Sequence, residues 1–415
     1  MPPRHFVFLQ GMPSPFFRAI GTHLQARGCR VTGINLCVGD WIFWHGKDTV
    51  HFRGSPDAWP QFFERFVTEH AVTDLVLLGE QRRYHKPAVD IAHEHGVRVT
   101  VTDFGYLRPD WITLEPDGMS GSSRFPREPA RLLQLAVGLP PIDTVGRYTD
   151  PFWKMALGDL LFSLSNVFVF YLYPQYRASD HRNHPLIYFP AMGLRLLTEK
   201  SRGIRARQNW SAFAAAGARY FVFPLQLDHD FQIKAYSPFE SMGAAIGVVL
   251  QSFADHADAD TRLLIKVHPW DPGLESWEAL VRSRCRRLGI GDRVVCLDGG
   301  NLDEMIAGSA GMVTVNSTSG VRALQMGSPV KVLGKAIYDI AGLTFQGDLD
   351  RYWQQAAPPD AQLLDAFLRT LAASIQIRGV FFSEPGRGAA ARAAAERLYA
   401  GTVGAPAVPP RPALS

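Results

Sequence analysis

The chain has 415 residues, of which 47% are hydrophobic and 20% are charged, and its formal net charge is +4. This composition is ordinary for a globular protein and excludes a disordered chain, a coiled coil and a collagen-like repeat. The positive charge is spread along the chain rather than gathered in a basic, aromatic-rich stripe, so nucleic acid is not an expected partner.

Targeting and redox features point to the cytoplasm. No run reaches the roughly 18 apolar residues that span a bilayer, and we expect no secretory signal because the first residues lack an apolar segment with a cleavage site. The cysteines include no CxxC pair, so neither a zinc site nor a disulfide framework is predicted. They are Cys29, Cys37, Cys285 and Cys296.

Apolar runs alternate with helical periodicities in the first third of the chain. The predicted elements are strands at 5–10, 29–36, 74–80 and 97–103 and helices at 16–26 and 86–95. This order predicts a parallel sheet covered on both faces. Because ligands bind beyond the carboxyl ends of such strands, the residues after the runs are candidates for binding. They are residues 10–14, Asp40, Glu80 and Asp103.

The middle of the chain, 116–210, interrupts the alternation. Its segment 160–173 has 14 residues and no charge, which is too short to span a membrane and predicts a buried core helix, with an interfacial segment as the alternative. We expect the basic residues beyond it to form a solvated face, with a membrane-facing positive patch as the alternative. They are Arg177, Arg182, Lys200, Arg202, Arg205 and Arg207.

A second alternating series follows. Its predicted elements are strands at 218–226, 262–269, 292–298, 311–317 and 329–334 and helices at 237–254, 275–288, 302–308 and 317–327. The two series predict an α/β fold in which two Rossmann-like domains face a cleft. The predicted domains are 1–205 and 206–355, followed by helices at 356–400 that pack back on the first domain and a disordered tail at 401–415.

A group of charged residues follows the first strand of the second series. Asp228, His229 and Asp230 stand there together, and such groups are costly to bury and suit a functional site. A solvated loop and a DxD metal motif are the alternatives; the surrounding pattern of two alternating series argues against the metal motif. A second pair, Asp258 and Asp260, is predicted to lie on the surface.

Two further motifs close strands of the same series. His268 precedes Pro269, which favours an extended backbone at the histidine, and its imidazole is suited to donate to a phosphate. The hydroxyl-rich stretch 316–320 opens a helix and is suited to bind one phosphate. A structural histidine and simple helix capping are the alternatives. Together these motifs predict a cleft for a nucleoside monophosphate leaving group opposite a carboxylate, the layout of a GT-B-type glycosyltransferase.

The chain resembles a known family, the capsular polysaccharide synthesis and export proteins of the KpsS/LipB type. The resemblance rests on residues 8–44, 105–119, 223–239, 265–271 and 313–339. It implies a retaining β-Kdo transferase that uses CMP-β-Kdo, without a metal or cofactor, to place the first Kdo on a (lyso)phosphatidylglycerol acceptor. It also implies a cytoplasmic protein peripheral to the inner membrane, with the lipid acceptor and other capsule proteins as partners. The His-Pro and hydroxyl-rich motifs are also similar to those of bacterial sialyltransferases.

The resemblance implies roles for individual residues. Asp230 is the implied nucleophile, with Asp228 as the alternative, and His268 meets the CMP phosphate. The implied CMP-binding residues are His268, Pro269, Asn316, Ser317, Thr318, Ser319 and Gly320. The implied acceptor-binding residues are Gln10, Gly11, Ser14, Asp40 and Glu115. Relatives carry an aspartate before a Cys-Arg pair where this chain has Glu80-Gln81-Arg82, so no catalytic role is assigned to Glu80.

The implied mechanism is a double displacement. A carboxylate forms a glycosyl–enzyme adduct, and the acceptor hydroxyl displaces it from the other face, so the anomeric configuration is retained. Other functions stay open at this stage: a non-catalytic capsule assembly or export component, a transferase for another CMP-sugar such as sialic acid, and a UDP-sugar enzyme. The last is disfavoured because the sequence has no clear diphosphate-binding loop.

Overall fold

The structure is a computed structural model that describes residues 4–178, 183–228 and 230–406. Arg182, His229 and residues 407–415 of the predicted tail lie outside the described residues. The strands are β1 (His5–Phe8), β2 (Arg30–Asn35), β3 (Thr49–His51), β4 (Asp74–Leu78), β5 (Arg98–Phe104), β6 (Trp111–Pro116), β7 (Tyr220–Pro224), β8 (Arg262–Lys266), β9 (Val294–Leu297), β10 (Gly311–Thr314), β11 (Val330–Val332) and β12 (Gln376–Arg378).

The helices fill most of the remaining chain. They are α1 (Phe16–Gln25), α2 (Val38–Phe43), α3 (Trp59–Glu69), α4 (His85–Glu94), α5 (Pro129–Leu135), α6 (Phe152–Phe168), α7 (Pro185–Ala215), α8 (Phe231–Tyr236), α9 (Met242–His256), α10 (Trp277–Leu288), α11 (Leu302–Ala307), α12 (Ser319–Gln325), α13 (Leu349–Gln355), α14 (Ala361–Ser374) and α15 (Gly386–Ala400). Short 3₁₀ turns occur at 56–58, 120–122, 170–172 and 291–293.

The chain forms two compact units. The first unit comprises Met1–Pro126, Gln134–Ser179 and Ala366–Ser415, and the second comprises Arg127–Leu133 and Asp180–Asp365. Helix α7 therefore belongs to the second unit as a whole, although the predicted boundary at 205 would divide it. The chain returns to the first unit at Ala366.

The first unit contains a seven-stranded sheet in the order β12-β6-β5-β4-β1-β2-β3. The strands from β1 to β5 are parallel, whereas β6 and β12 run antiparallel to their neighbours. Every residue of β1 and β4 is buried, as expected for central strands covered on both faces. The order of β1 to β5 is that of a Rossmann fold, whose topological switch point lies between β1 and β4.

The C-terminal part of the chain completes the core of the first unit. Helix α15 packs against α1, and its buried residues include a row of alanines that face the larger side chains Phe16, Ile20 and Leu24. The alanines are Ala390, Ala391, Ala394 and Ala395. Since alanine side chains are small, the two helices approach each other closely.

The second unit contains a parallel five-stranded sheet in the order β11-β10-β7-β8-β9. This is again a Rossmann order, with the switch point between β7 and β10. Two Rossmann-like units of alternating strands and helices confirm the predicted α/β fold class, and a pair of such units is the domain organisation of the GT-B type.

One predicted helix is wrong in its limits. The predicted helix spans 237–254 and starts at Ser237-Pro238, but Ser237 is extended and ends α8, while α9 begins at Met242. The Ser237 hydroxyl donates to the Ile233 carbonyl (2.7 Å), which closes the short helix. The Ser241 hydroxyl then accepts from the Ala244 N–H (3.1 Å) and caps α9.

The prediction of a buried core helix at 160–173 is also wrong. Helix α6 ends at Phe168, a 3₁₀ turn follows at 170–172, and Gly158 is the one buried residue of the helix. The other apolar residues of α6 are partly or fully exposed. Among the residues that the structure describes, no helix combines the length and the apolarity needed to cross a bilayer.

Candidate functional site

The three motifs of the second series meet at one edge of the second sheet. Strands β10, β7 and β8 are neighbours and parallel, so the residues that follow them emerge side by side. We call these segments the carboxylate corner (Asp228 and Asp230), the His-Pro segment (His268–Pro269) and the hydroxyl turn (Ser317–Ser319). The edge includes the topological switch point, where ligands of such sheets bind.

Both aspartates of the carboxylate corner are held at the start of a helix. Asp230 is the N-cap of α8, and its carboxylate accepts from the Gln232 N–H (3.0 Å). The Asp228 carboxylate accepts from the N–H of Met242, the first residue of α9 (2.7 Å). Both side chains are half-buried, so the two carboxylates are fixed in direction and still reachable.

A buried amide pair ties the carboxylate corner to the hydroxyl turn. The Asn316 N–H donates to the Gln226 side-chain oxygen (3.1 Å), and the Gln226 amide donates to the Asn316 oxygen (2.9 Å). The Asn316 amide also donates to the Gln232 carbonyl in α8 (2.8 Å). Asn316, implied as a CMP ligand, therefore uses its side chain inside the protein, and its partner Gln226 was not among the predicted site residues.

The hydroxyl turn has an ordered internal arrangement. The Ser317 hydroxyl accepts from the Ser319 N–H (3.2 Å) and from the Ser319 hydroxyl (2.9 Å), just before Thr318, the N-cap of α12. A Cβ on Gly320 would lie 2.3 Å from the Tyr338 hydroxyl oxygen, so the close approach of this ring requires glycine. Ser317, Thr318 and Ser319 remain half-exposed, which leaves the turn open to a ligand.

Hydrogen bonding selects one tautomer for the neutral His268 ring. Its Nδ1 accepts from the Trp270 N–H (3.1 Å), so the proton of the neutral imidazole sits on Nε2. The loop is stiffened by Asp271, whose N–H donates to the His268 carbonyl (3.1 Å) and whose carboxylate accepts from the Trp277 indole (2.7 Å). Pro269 is exposed. His268 is thereby prepared to donate a hydrogen bond through Nε2.

Basic side chains accompany this edge of the second sheet. Lys266, the last residue of β8, is buried, and burial lowers its pKa while the nearby charge of Asp298 opposes that shift. Asp298 also pairs with Arg195 (2.7 Å) and Arg202 (3.0 Å), two residues of α7. Arg202 was expected on a solvated basic face, but its guanidinium pairs with Asp298, whereas Arg195 was not among the predicted basic residues.

The first unit has a small open pocket at the carboxyl edge of its own sheet. Its lining includes four of the five residues implied in acceptor binding, together with aromatic side chains. The four are Gln10, Gly11, Ser14 and Asp40, and the aromatic residues include Phe17, Phe43, Trp44 and Phe162. We call this the acceptor pocket, after the role that the family resemblance implies for these four residues.

A polar network crosses the floor of the acceptor pocket. Asp40 accepts from the Gln10 amide (3.0 Å) and from the Leu36 N–H (2.9 Å), while Arg82 donates to the Gln10 oxygen (3.2 Å). Burial raises the pKa of Asp40 to about 6, and the hydrogen bonds oppose this shift. A carboxyl group with a pKa near neutrality can exchange a proton at physiological pH.

The remaining candidate carboxylates lie away from this pocket lining. Glu115 is the next-to-last residue of β6, is fully buried, and accepts from the Ser123 hydroxyl; it is not among the lining residues of the acceptor pocket. Glu80, after β4, is also buried, and neither carboxylate oxygen has a hydrogen-bond partner of normal geometry among the described residues. Burial raises the pKa of Glu80 to about 7.

Comparison with known proteins identifies the family. The family described as capsule polysaccharide biosynthesis protein matches residues 73–382. The chain belongs to this family. The matched range includes the carboxylate corner, the His-Pro segment and the hydroxyl turn, but begins after Gln10 and Asp40.

Relatives of this family member are similar over nearly their full length. The capsule polysaccharide modification protein LipB of Neisseria meningitidis is 32% identical over 390 residues, 92% of each chain. The capsule polysaccharide export protein KpsS of Escherichia coli is 27% identical over 387 residues, which cover 91% of this chain and 97% of KpsS. The resemblance recognised in the sequence is thereby confirmed.

A solved structure is similar at lower identity. The KpsC protein of Thermosulfurimonas dismutans, a β-Kdo 2,7 transferase, has 14% sequence identity and a TM-score of 0.46, and the match covers 95% of this chain and 98% of the other.

Proposed function

We propose that this capsule polysaccharide biosynthesis protein is a retaining β-Kdo glycosyltransferase. It transfers Kdo from CMP-β-Kdo to a (lyso)phosphatidylglycerol acceptor and so initiates the poly-Kdo linker of a capsular polysaccharide. The observation that carries the proposal is the meeting of a carboxylate, an imidazole and a hydroxyl turn at adjacent strand ends of the second sheet. The proposed enzyme needs no metal or cofactor and acts in the cytoplasm, at the periphery of the inner membrane.

The first step of the proposed reaction forms a covalent adduct. The Asp230 carboxylate, with Asp228 as the alternative, attacks the anomeric carbon of Kdo, and the bond from that carbon to the phosphate oxygen breaks. CMP leaves with the bonding electron pair. The Nε2–H of His268 and the hydroxyls of Ser317–Ser319 stabilise its charge. One well-placed donor of this kind is typically worth about 3–4 kcal/mol of barrier.

The second step releases the product. The acceptor hydroxyl attacks the anomeric carbon from the opposite face, the bond to the aspartate breaks, and the carboxylate is regenerated, so the configuration is retained. The hydroxyl proton must pass to a base. A solvent water molecule can take up this proton.

The direct test is donor turnover by the purified chain. Incubation with CMP-β-Kdo and a fluorescent lysophosphatidylglycerol is expected to release CMP and to give a labelled product one Kdo heavier. Parallel reactions with CMP-sialic acid and with a UDP-sugar test the other donor classes. Transfer from one of these donors, with CMP-β-Kdo inert, would replace the proposed donor.

A non-catalytic assembly or export component is the second candidate. It is favoured by the hydrogen bonds of Asp228 and Asp230, because the need for an acceptor at the start of a helix alone explains an aspartate at each position. In that case the chain binds CMP-β-Kdo or the lipid in a calorimeter but releases no CMP with any acceptor.

A further inference from the structure

Helix α6 in the first unit has one face fixed to the protein. A Cβ on Gly158 would lie 2.3 Å from the Pro13 carbonyl oxygen, so the helix touches backbone there. Further along the same face, Asn166 accepts from the Gly39 N–H (3.0 Å) and Phe162 packs on Gly39. These contacts set which side of α6 faces away from the protein.

The opposite face is apolar and exposed. Trp153, Leu157, Leu161 and Phe168 recur at helical spacing, and the 3₁₀ turn that follows adds Phe170 and Tyr171. Their exposed fractions run from 46% for Leu157 to 65% for Tyr171. We call these six residues the apolar stripe. A helix on a water-covered surface presents polar residues outward, whereas a contiguous exposed apolar patch marks a contact surface.

Arginines stand at the end of the apolar stripe. The segment after Tyr171 holds Tyr173, whose ring lies under the guanidinium of Arg53 (5.7 Å to the ring centre). Four residues on, the N–H of Arg177 donates to the Tyr84 hydroxyl (3.1 Å), and both arginine side chains are exposed. An apolar helix face with Trp, Phe and Leu beside basic side chains is the composition of helices that lie in the headgroup region of anionic bilayers.

We propose that the apolar stripe docks the first unit on an anionic phospholipid bilayer. Helix α6 then lies in the plane of the headgroups, with its aromatic and leucine side chains in the acyl boundary and Arg53 and Arg177 at the phosphates. The occupant is a lipid surface rather than a protein because the exposed face combines aliphatic and interfacial aromatic residues with cations, and its 17-residue helix is too short to span.

The docking surface and the acceptor pocket share one helix. Phe162, on the fixed face of α6, lines the pocket that holds Gln10 and Asp40. A docked α6 would therefore bring that pocket to the depth of the lipid headgroups. This connection rests on the proposed function, whereas the docking itself rests on the stripe alone.

Vesicle flotation of the full-length chain tests the docking. We use phosphatidylcholine vesicles with and without phosphatidylserine, an anionic lipid that is not the proposed acceptor. The wild type is expected to float with the anionic vesicles and less so at high salt. The Leu157→Glu/Leu161→Glu variant should bind about tenfold more weakly or worse. Val248→Glu on α9, where the valine is 48% exposed, is the matched control and should float like the wild type.

A second variant keeps the test independent of misfolding. Phe170→Ala/Tyr171→Ala removes apolar surface without adding charge and should also weaken flotation, with unchanged circular dichroism. Arg53→Gln/Arg177→Gln should reduce the preference for anionic vesicles. Flotation of the glutamate variant at the wild-type level overturns the proposal. The proposal is also overturned if the wild type is a dimer that the glutamate variant converts to monomers while vesicle binding is unchanged, because the stripe would then be a self-association face.

Activity separates the docking from the proposed function. If both are correct, Leu157→Glu/Leu161→Glu keeps transfer to a monomeric, water-soluble lysophospholipid and loses it on vesicle-embedded acceptor. A wild type that floats but transfers to neither acceptor contradicts the proposed function alone. Equal transfer by wild type and variant on vesicles contradicts the docking.

Discussion

Each aspartate of the carboxylate corner accepts a hydrogen bond from the first turn of a helix and also offers a carboxylate to the candidate site. Asp230 accepts from Gln232 and Asp228 from Met242. Removing either side chain therefore mixes two effects, because loss of a cap costs about 0.5–2 kcal/mol of stability. Asparagine retains an oxygen that can cap and lacks a nucleophilic carboxylate, so it separates catalysis from folding.

We predict that Asp230→Asn abolishes transfer while the melting temperature stays near that of the wild type. Asp228→Asn, the matched variant at the other helix start, is expected to keep measurable turnover. Release of CMP from CMP-β-Kdo is the measurement. If both asparagine variants turn over at normal rates, neither residue is the nucleophile; loss confined to Asp228→Asn assigns the role to that residue.

Buried Glu80 predicts a pH-dependent stability. Its pKa is about 7 in the folded protein against an ordinary 4.5, so between these values the folded state holds a proton that the unfolded chain has lost. Stability is therefore lost as the pH rises across this window. Glu80→Gln has no such proton. The free energy of unfolding of this variant minus that of the wild type should therefore increase by about 3 kcal/mol from pH 4.5 to pH 8. Urea unfolding at several pH values measures this. A difference that stays constant with pH would contradict the assignment.

At the scale of elements, the Gln226–Asn316 pair links the ends of β7 and β10. Asn316 also holds the Gln232 carbonyl of α8. Asn316→Ala is expected to lower the free energy of unfolding by about 1–3 kcal/mol, because buried polar groups lose their partners. A double-mutant cycle with Gln226→Ala should show coupling of about 0.5 kcal/mol or more. Strictly additive effects would mean that the pair is not a unit.

The elements that the sequence predicted well are those with buried apolar runs. Strands β1, β4, β7 and β8 and the site positions directly after them follow from periodicity and from the geometry of parallel sheets. The sequence did not reveal that Asn316 would pair with Gln226, since amide partners depend on the tertiary arrangement. Glu115 was implied in the acceptor site, but its strand runs antiparallel, which the local pattern does not encode, and its carboxylate is enclosed beside Ser123.

Helix α6 shows a different limit of sequence analysis. An uncharged run predicts burial, yet burial also requires a neighbour to cover each face. Among the residues in the described ranges, such neighbours contact the side that bears Gly158 and Phe162. The run is apolar on both sides. The uncharged composition is compatible with a core helix and with an interfacial helix, so composition alone could not distinguish the two.

At the scale of the whole molecule, the two units should respond separately to a change in one core. Ala394 is fully buried in α15, in the core that it shares with α1. Ala394→Glu places a charge there, which is strongly destabilising. Hydrogen exchange should show lost protection in β1 and α1 and retained protection in β7 and β8. Arg392→Glu, on the exposed side of α15, is the control. Equal loss of protection in both units would mean that they unfold as one.

Because the last segment of the chain returns to the first unit, the two units can be completed in only one order during synthesis. Strands β7 to β11 are complete in sequence before β12 and α15 are made. During synthesis the second sheet can assemble while α1 still lacks the helix that covers it. The N-terminal unit is thus begun first and finished last, and a nascent chain halted near 365 should expose Phe16, Ile20 and Leu24 to chaperones.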